Sequence, residues 1–120
     1  MIRANDAITG KAKLFAIRII KLYQHLTEKK KEFVLSKQVL RSGTSIGANR
    51  TEAVYAFSGK DFLHKNEIAL GECAETLYWL ELLEVTGYVT EKQFTSIYAD
   101  GEELLKLLIT AVKSLKGKRN

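Results

Sequence analysis

"LRSGTSIGANRTEA", Leu40 to Ala53, gathers two glycines, two serines, two threonines and an asparagine into fourteen residues of a chain otherwise rich in leucine, lysine, glutamate and alanine. A phosphate-binding loop, a linker and a helix made of small residues all fit that composition. A P-loop needs G-x-x-x-x-G-K-[ST] behind a strand, with the lysine reaching the phosphates. Here Gly43 and Gly47 are four apart, no lysine follows, and nothing before them reads as a strand. The periodicity decides for a helix. Val39, Ile46 and Ala53 are seven apart, as are Leu40, Gly47 and Val54, and again Gly43, Arg50 and Phe57. At about 100° per residue all of them fall in one arc. Each interior glycine costs a helix about 1 kcal/mol, a cost that makes sense where a missing side chain lets another helix approach. The stretch therefore reads as the middle of a helix in tight contact with a neighbour.

Working outward, three more amphipathic segments appear. Ile8, Ala12, Phe15, Ile19, Leu22 and Leu26 follow a 4-3-4-3-4 spacing, which predicts a helix over 6–27. The run Glu28-Lys29-Lys30-Lys31-Glu32 reads as a solvated turn, although three lysines also suit phosphate. The second helix is expected over 37–57, with Ser36 as a candidate N-cap. Ser58 and Asp61 have the spacing of a cap and its N3 partner, opening a third helix over 60–85 with Phe62, Ala69, Cys73, Leu77, Leu80 and Leu83 on one face. Gly87 is placed to end it in the left-handed conformation. Thr90 and Gln93 form a capping box before a fourth helix over 91–115, followed by a frayed tail, "KGKRN". Four such helices with short links predict one all-α domain over 1–120, an up-down-up-down antiparallel four-helix bundle.

Composition agrees. Proline is absent from the 120 residues, and a single cysteine, Cys73, rules out an intrachain disulfide and suggests a reducing, cytoplasmic setting. The N-terminus has no apolar centre of a signal peptide, and Arg18 and Lys106 interrupt the best apolar runs, so no membrane span is expected. The net charge of +5 is unevenly spread: residues 1–60 carry 12 Lys/Arg against 4 Asp/Glu, residues 61–120 carry 7 against 10. Such asymmetry suits an anionic partner on one side, or attraction between copies.

Arg50 is the oddity of the opening stretch, a charge in the middle of the apolar arc. Left unpaired there it would be strongly unfavourable. It either meets a carboxylate of a neighbouring helix, opens onto a subunit interface, or snorkels from the bundle edge. Other apolar residues also lie off the core seams: Leu14 and Ile17 on helix 1, and Ile68, Trp79 and Leu82 around Gly71 on helix 3. With Arg50 they form the candidate oligomer interface, because contiguous exposed apolar patches mark contact surfaces.

"SGTSIGANRTEA", "DFLHKNEIALGECAETLYWLELL" and the "GY" that follows resemble the four-helix-bundle proteins encoded in intervening sequences of bacterial 23S ribosomal RNA genes. A similar fold occurs in accessory variability proteins of diversity-generating retroelements. The resemblance spans the chain and is most specific over 40–53 and 61–88. It implies a barrel-like homopentamer with a basic surface, no established enzymatic activity, and, through the retroelement relatives, association with RNA and a reverse transcriptase. The chain departs from the family at Arg50, where an aliphatic residue is usual.

The candidate chemistry is sparse. A di-iron bundle needs paired E-x-x-H motifs, but His64 has Asp61 at −3 and His25 has Leu22. No metal or other cofactor is expected, and no nucleophile–base set stands out. Arg18 and His25, six residues between them, have a spacing like that of HEPN-type helical ribonucleases, with a cation for phosphate and an imidazole for proton transfer. That spacing arises easily by chance, and Ile19 stands where those enzymes carry a polar residue. Binding is the leading expectation. Lys11, Arg18 and Lys21 on helix 1, with Lys37 and Arg41 on helix 2, form a basic surface for phosphates that holds nucleic acid without reading its sequence. The expected protein is thus a non-enzymatic, self-assembling, RNA-associated scaffold. The ribonuclease and a purely protein-binding module are the alternatives, and no membrane or small-molecule substrate is expected.

Overall fold

The computed structural model describes residues 6–119, which form four helices: α1 (Ala7–Glu28), α2 (Leu35–Ala53), α3 (Gly59–Val85) and α4 (Glu91–Arg119). Each packs against its neighbours in sequence, and α1 closes the bundle against α4. The pairings run in opposite directions. Gly43 meets Ile19 while Gly47 meets Ala12. Ser42 bonds to Thr76 while Arg50 bonds to Asn66. Arg18 meets Asp100 while Lys11 meets Glu103. The antiparallel four-helix bundle expected from the periodicity is therefore the fold, with a long axis of 47 Å.

The small residues of α2 are small because α2 is pressed between two helices. A Cβ on Gly43 would lie 2.8 Å from both γ-carbons of the buried Ile19. On the other flank the Ser42 and Thr76 hydroxyls, both buried, meet at 2.8 Å. Two further hydroxyls turn back on their own helix, Thr44 to the Leu40 carbonyl and Ser45 to that of Arg41, so each has its hydrogen bond within α2. A second close approach was not visible in the sequence. A Cβ on Gly101 of α4 would meet Leu77 at 2.7 Å and Phe15 at 3.0 Å. Around these contacts lie Phe15, Ile19, Leu26, Val39, Ile46, Leu80, Leu83, Leu104 and Leu108, all buried.

The ends of the elements follow local chemistry. Asp6 accepts from the Thr9 N–H at 2.7 Å and caps α1. The Ser58 hydroxyl accepts from the Asp61 N–H at 3.0 Å, Gly87 has φ +85°, and Thr90 and Gln93 cap each other reciprocally. Three expectations are corrected. α2 ends at Ala53 rather than 57, and Phe57, placed by phase in the core arc, is 100% exposed in the α2–α3 link. On α3 it is Leu63 that is buried, while Phe62 is half-buried at the bundle end. The tail read as frayed stays helical through Arg119, and Asn120 lies outside the described residues.

The two glycines of α2 should answer oppositely to alanine. Gly43→Ala drives a methyl into branched, buried Ile19, and overpacking of about 1–3 kcal/mol outweighs the propensity gain of about 1 kcal/mol. At Gly47 the added Cβ would sit 3.5 Å from the Ala12 Cβ, an ordinary contact. Gly47→Ala is therefore expected to raise stability by up to about 1 kcal/mol. Urea denaturation of both variants measures the two signs.

Candidate nucleic-acid interface

The basic residues expected to hold nucleic acid divide into two groups. Arg18 is tied to α4, its guanidinium donating to Asp100 Oδ2 at 2.6 Å, to Ser96 Oγ at 2.9 Å and to the Ser96 carbonyl at 3.2 Å. Lys11 meets Glu103 at 2.6 Å, and Arg41 pairs with both Glu72 and Glu75 of α3. Lys21 and Lys37 are exposed and make no ion pair among the described residues. Exposed pairs contribute at most about 1 kcal/mol each, so a phosphate can compete for the first group, while the second is open to it.

Arg18, Lys21 and His25 of α1 form one wall of a groove of about 460 Å³. Gln93 of α4 stands on the rim, and Leu22, Leu80, Val89 and Ile97 make an apolar floor. Arg18 and His25, the candidate ribonuclease pair, thus share one groove about 10 Å apart along the helix axis. At the same end of the bundle lies the α1–α2 turn. The Lys29 and Lys30 N–H groups both donate to the His25 carbonyl, and Lys31 takes the left-handed conformation, φ 54°. Glu32, read in the sequence as part of a solvated turn, is buried instead. Its carboxylate accepts from the N–H groups of Val34, Leu35 and Ser36 at 3.2, 3.0 and 2.7 Å. Glu32 rather than Ser36 caps α2, and the Ser36 hydroxyl donates back to the Glu32 carbonyl. Burial acts to raise the Glu32 pKa, but the N–H groups of Leu35, Ser36 and Val34 outweigh it and leave the pKa lowered. The turn so held presents Lys29, Lys30 and Lys31 to solvent beside Phe33, 53% exposed, and Val34, 72% exposed. Phe33 was not singled out from sequence.

Of the candidate interface residues, Leu14 is 65% exposed and Ile17 is exposed with Ile20 beside it. On α3, Gly71 is exposed, while Ile68, Trp79 and Leu82 are half-buried. Trp79 packs on the core and donates to Glu75 at 3.2 Å. Tyr78 and Val85 extend the same face and are exposed.

Arg50 sits elsewhere, 1% exposed inside its own bundle, and so offers no surface to a second copy and does not snorkel. It pairs with Asp6 at 2.6 Å and donates to the Asn66 side-chain carbonyl. Burial lowers its pKa and Asp6 raises it part of the way back. Burial also pushes the Cys73 thiol up to about 12, so it stays protonated. Among the described residues, no three His, Cys, Asp or Glu side chains come together to hold a metal, and no helix is long and apolar enough to cross a membrane.

Residues 5–110 match the family described as 23S rRNA-intervening sequence protein. The chain belongs to this family. It is 53% identical to a protein of unknown function from the S23 ribosomal protein family of Bacteroides thetaiotaomicron, whose crystal structure superimposes with a TM-score of 0.88. The match covers 89% of this chain and 99% of that one. No curated protein matches. The family is the one expected from residues 40–53 and 61–88. At Arg50, where the resemblance implies an aliphatic residue, Asp6 balances the charge and Asn66 accepts from it, while Nε has no partner among the described residues.

Asp6 both caps α1 and balances Arg50, so Asp6→Ala should cost about 3–5 kcal/mol by leaving a buried charge uncompensated. In an Arg50→Leu background the same change should cost only the cap, about 1 kcal/mol. A double-mutant cycle by denaturation measures the difference. Glu32 predicts a pH effect. Because its folded pKa is lowered, its contribution is present above the unfolded value, near 4.5, and is lost as pH falls through the folded one. Glu32→Gln should therefore lower stability by about 1–2 kcal/mol at neutral pH, with the gap to the native chain closing as pH falls below the unfolded value in acid-titrated denaturation.

Proposed function

We propose that the protein is a non-enzymatic scaffold that assembles head-to-tail with copies of itself and associates with RNA through its basic α1–α2 side. One observation carries the assembly: α1 and α3, which sit diagonally across the bundle, both carry apolar residues on the side away from the core. On α3 the row is Ile68, Gly71, Tyr78, Leu82 and Val85, at seam spacing. On α1 it is Leu14, Ile17 and Ile20. α1 carries four cations and one anion, α3 two cations and six anions, His64 counted neutral. Charge therefore favours α1 of one copy against α3 of the next over either face against itself. A contact between two different faces is heterologous, and closes into a ring where the rotation allows. Five copies are what the family resemblance implies.

The RNA association rests on the basic first half and on Lys21 and Lys37, which a ring would present many times over. A reverse-transcriptase-type protein is a further partner implied by the resemblance alone. The second reading, a ribonuclease, is favoured by one fact, that Arg18 and His25 line the same groove. Asp100 and Ser96 already hold the Arg18 guanidinium, which supports binding over catalysis.

Light scattering should give about five times the chain mass of 13.5 kDa. Ile17→Glu on α1 and Tyr78→Glu on α3 should each give monomers, while their mixture, with one intact face of each kind, should give a 1:1 dimer and nothing larger. A mixture that stays monomeric would sink the heterologous contact. RNA binding should weaken steeply with salt and fall in Lys11/Arg18/Lys21→Glu. RNA cleavage abolished by His25→Ala would move the assignment to the ribonuclease.

A further inference from the structure

The α1–α2 turn is built to a degree a solvated connection does not need. Glu32 spends its carboxylate on three backbone N–H groups, and Lys31 is held at φ 54°. The result fixes three adjacent exposed lysines next to an exposed phenylalanine. None of Lys29, Lys30 and Lys31 has an ion-pair partner among the described residues, in contrast to Lys11, Arg18 and Arg41. Three unpaired cations are a site for phosphates. An exposed aromatic ring beside them supplies what the basic outer faces of α1 and α2 lack, a platform on which a base can stack.

The neighbouring groove fits the same occupant. It opens at this end of the bundle, where His25 is tied by its carbonyl to the lysine turn. Its floor is apolar and its rim carries His25, Lys21 and Gln93. Its size lies within the usual range for ligand pockets, about 300–1,000 Å³. An apolar slot with hydrogen-bonding groups at its edge suits a planar base turned out of a strand. A stacked duplex keeps its bases inside, and a bilayer surface cannot enter a groove between helices. A second copy presenting the same turn would set six lysines against one another.

We propose that this end of the bundle is a single-stranded RNA site. Lys29, Lys30 and Lys31 hold the backbone, Phe33 stacks one base, and the groove beside His25 and Gln93 receives another. This rests on the RNA reading above and locates it, moving the main contact from the outer faces of α1 and α2 to the turn between them.

The test is fluorescence anisotropy of the full chain with a labelled 20-nucleotide single-stranded RNA, the same sequence closed into a hairpin duplex, and vesicles of anionic phospholipid as competitor. The single strand should bind at least tenfold more tightly than the duplex. Lys29/Lys30/Lys31→Gln should lower its affinity at least tenfold and flatten the salt dependence. Phe33→Ser should lower it about fivefold or more with the salt dependence unchanged, which a merely electrostatic site would not show. If RNA binds, is unaffected by the turn variants and is lost in Lys11/Arg18/Lys21→Glu, the turn site is wrong and the RNA reading stands. No RNA binding at low salt overturns both. Complete displacement by the vesicles, with duplex and single strand bound alike, makes the turn a membrane contact instead. Circular dichroism of each variant verifies the fold.

Discussion

The bundle depends on the place where Ile19 occupies the space a side chain on Gly43 would fill. Drawing α1 onto α2 at that point sets the register of the pair, with Ala12 opposite Gly47 and Asp6 opposite Arg50. α3 is drawn to the other flank by Ser42 and Thr76. The consequence appears on the far side of α1. Its seam with α4 is the thinnest in the bundle, and Lys11–Glu103 and Arg18–Asp100 fasten it from outside. Such exposed pairs are weak. Toward the α1 C-terminus the pairs stop and the seam widens into the groove between Leu22 and Ile97. A tight contact on one side of α1 thus accompanies an open one on the other.

What the sequence made legible was whatever repeats along a helix. The phase of Val39, Ile46 and Ala53 carried α2, and the caps at Ser58 and Thr90 were visible because their partners lie three residues away. Phase alone misplaced Phe57, since an apolar residue in register carries no sign that the hydrogen-bonded ladder has stopped; Ser58 just after it was the better signal. Gly101 carried no signal along its own helix, because its reason, Leu77 and Phe15, comes from other helices. The pairing of the basic surface was hidden for the same cause. Lysines and arginines can be counted on one helix, but the acids that neutralise three of them stand on α3 and α4. Glu32 left a trace, a carboxylate shortly before the α2 phase begins, although its charge and setting made it read as surface.

Arg50 shows how a departure from an apolar pattern is accommodated. A buried guanidinium contributes little net stability against well-packed hydrophobic residues, so its presence is better understood by what it joins. Through Asp6 it reaches the start of α1, and through Asn66 the first third of α3, so one side chain of α2 links three helices at one end of the bundle. Asp6 is committed twice, to the Thr9 N–H and to Arg50. The arrangement fixes where α1 begins relative to α2, a constraint an aliphatic residue would not impose. This is the opposite end of the bundle from the lysine turn, so the two charged devices act independently.

The distribution of apolar surface then limits where the molecule can do its work. α1 and α3 lie diagonally across the bundle and are apolar both inside and outside, whereas the outer faces of α2 and α4 are polar, with Lys37, Arg41 and Thr44 on one and Lys92, Glu103 and Lys106 on the other. If α1 and α3 are covered by neighbouring copies, the sides left to solvent are two polar helix faces and the two ends. On those helix faces, the arginine of α2 is already matched by acids of α3. The end carrying Lys29 to Lys31 has its cations unmatched among the described residues and an aromatic ring in the open. In a ring that end would repeat around the axis with the same face outward in every subunit, so contacts too weak to hold a strand singly would act together. Assembly through the sides and binding at the end are therefore compatible, because they draw on different parts of the same small surface.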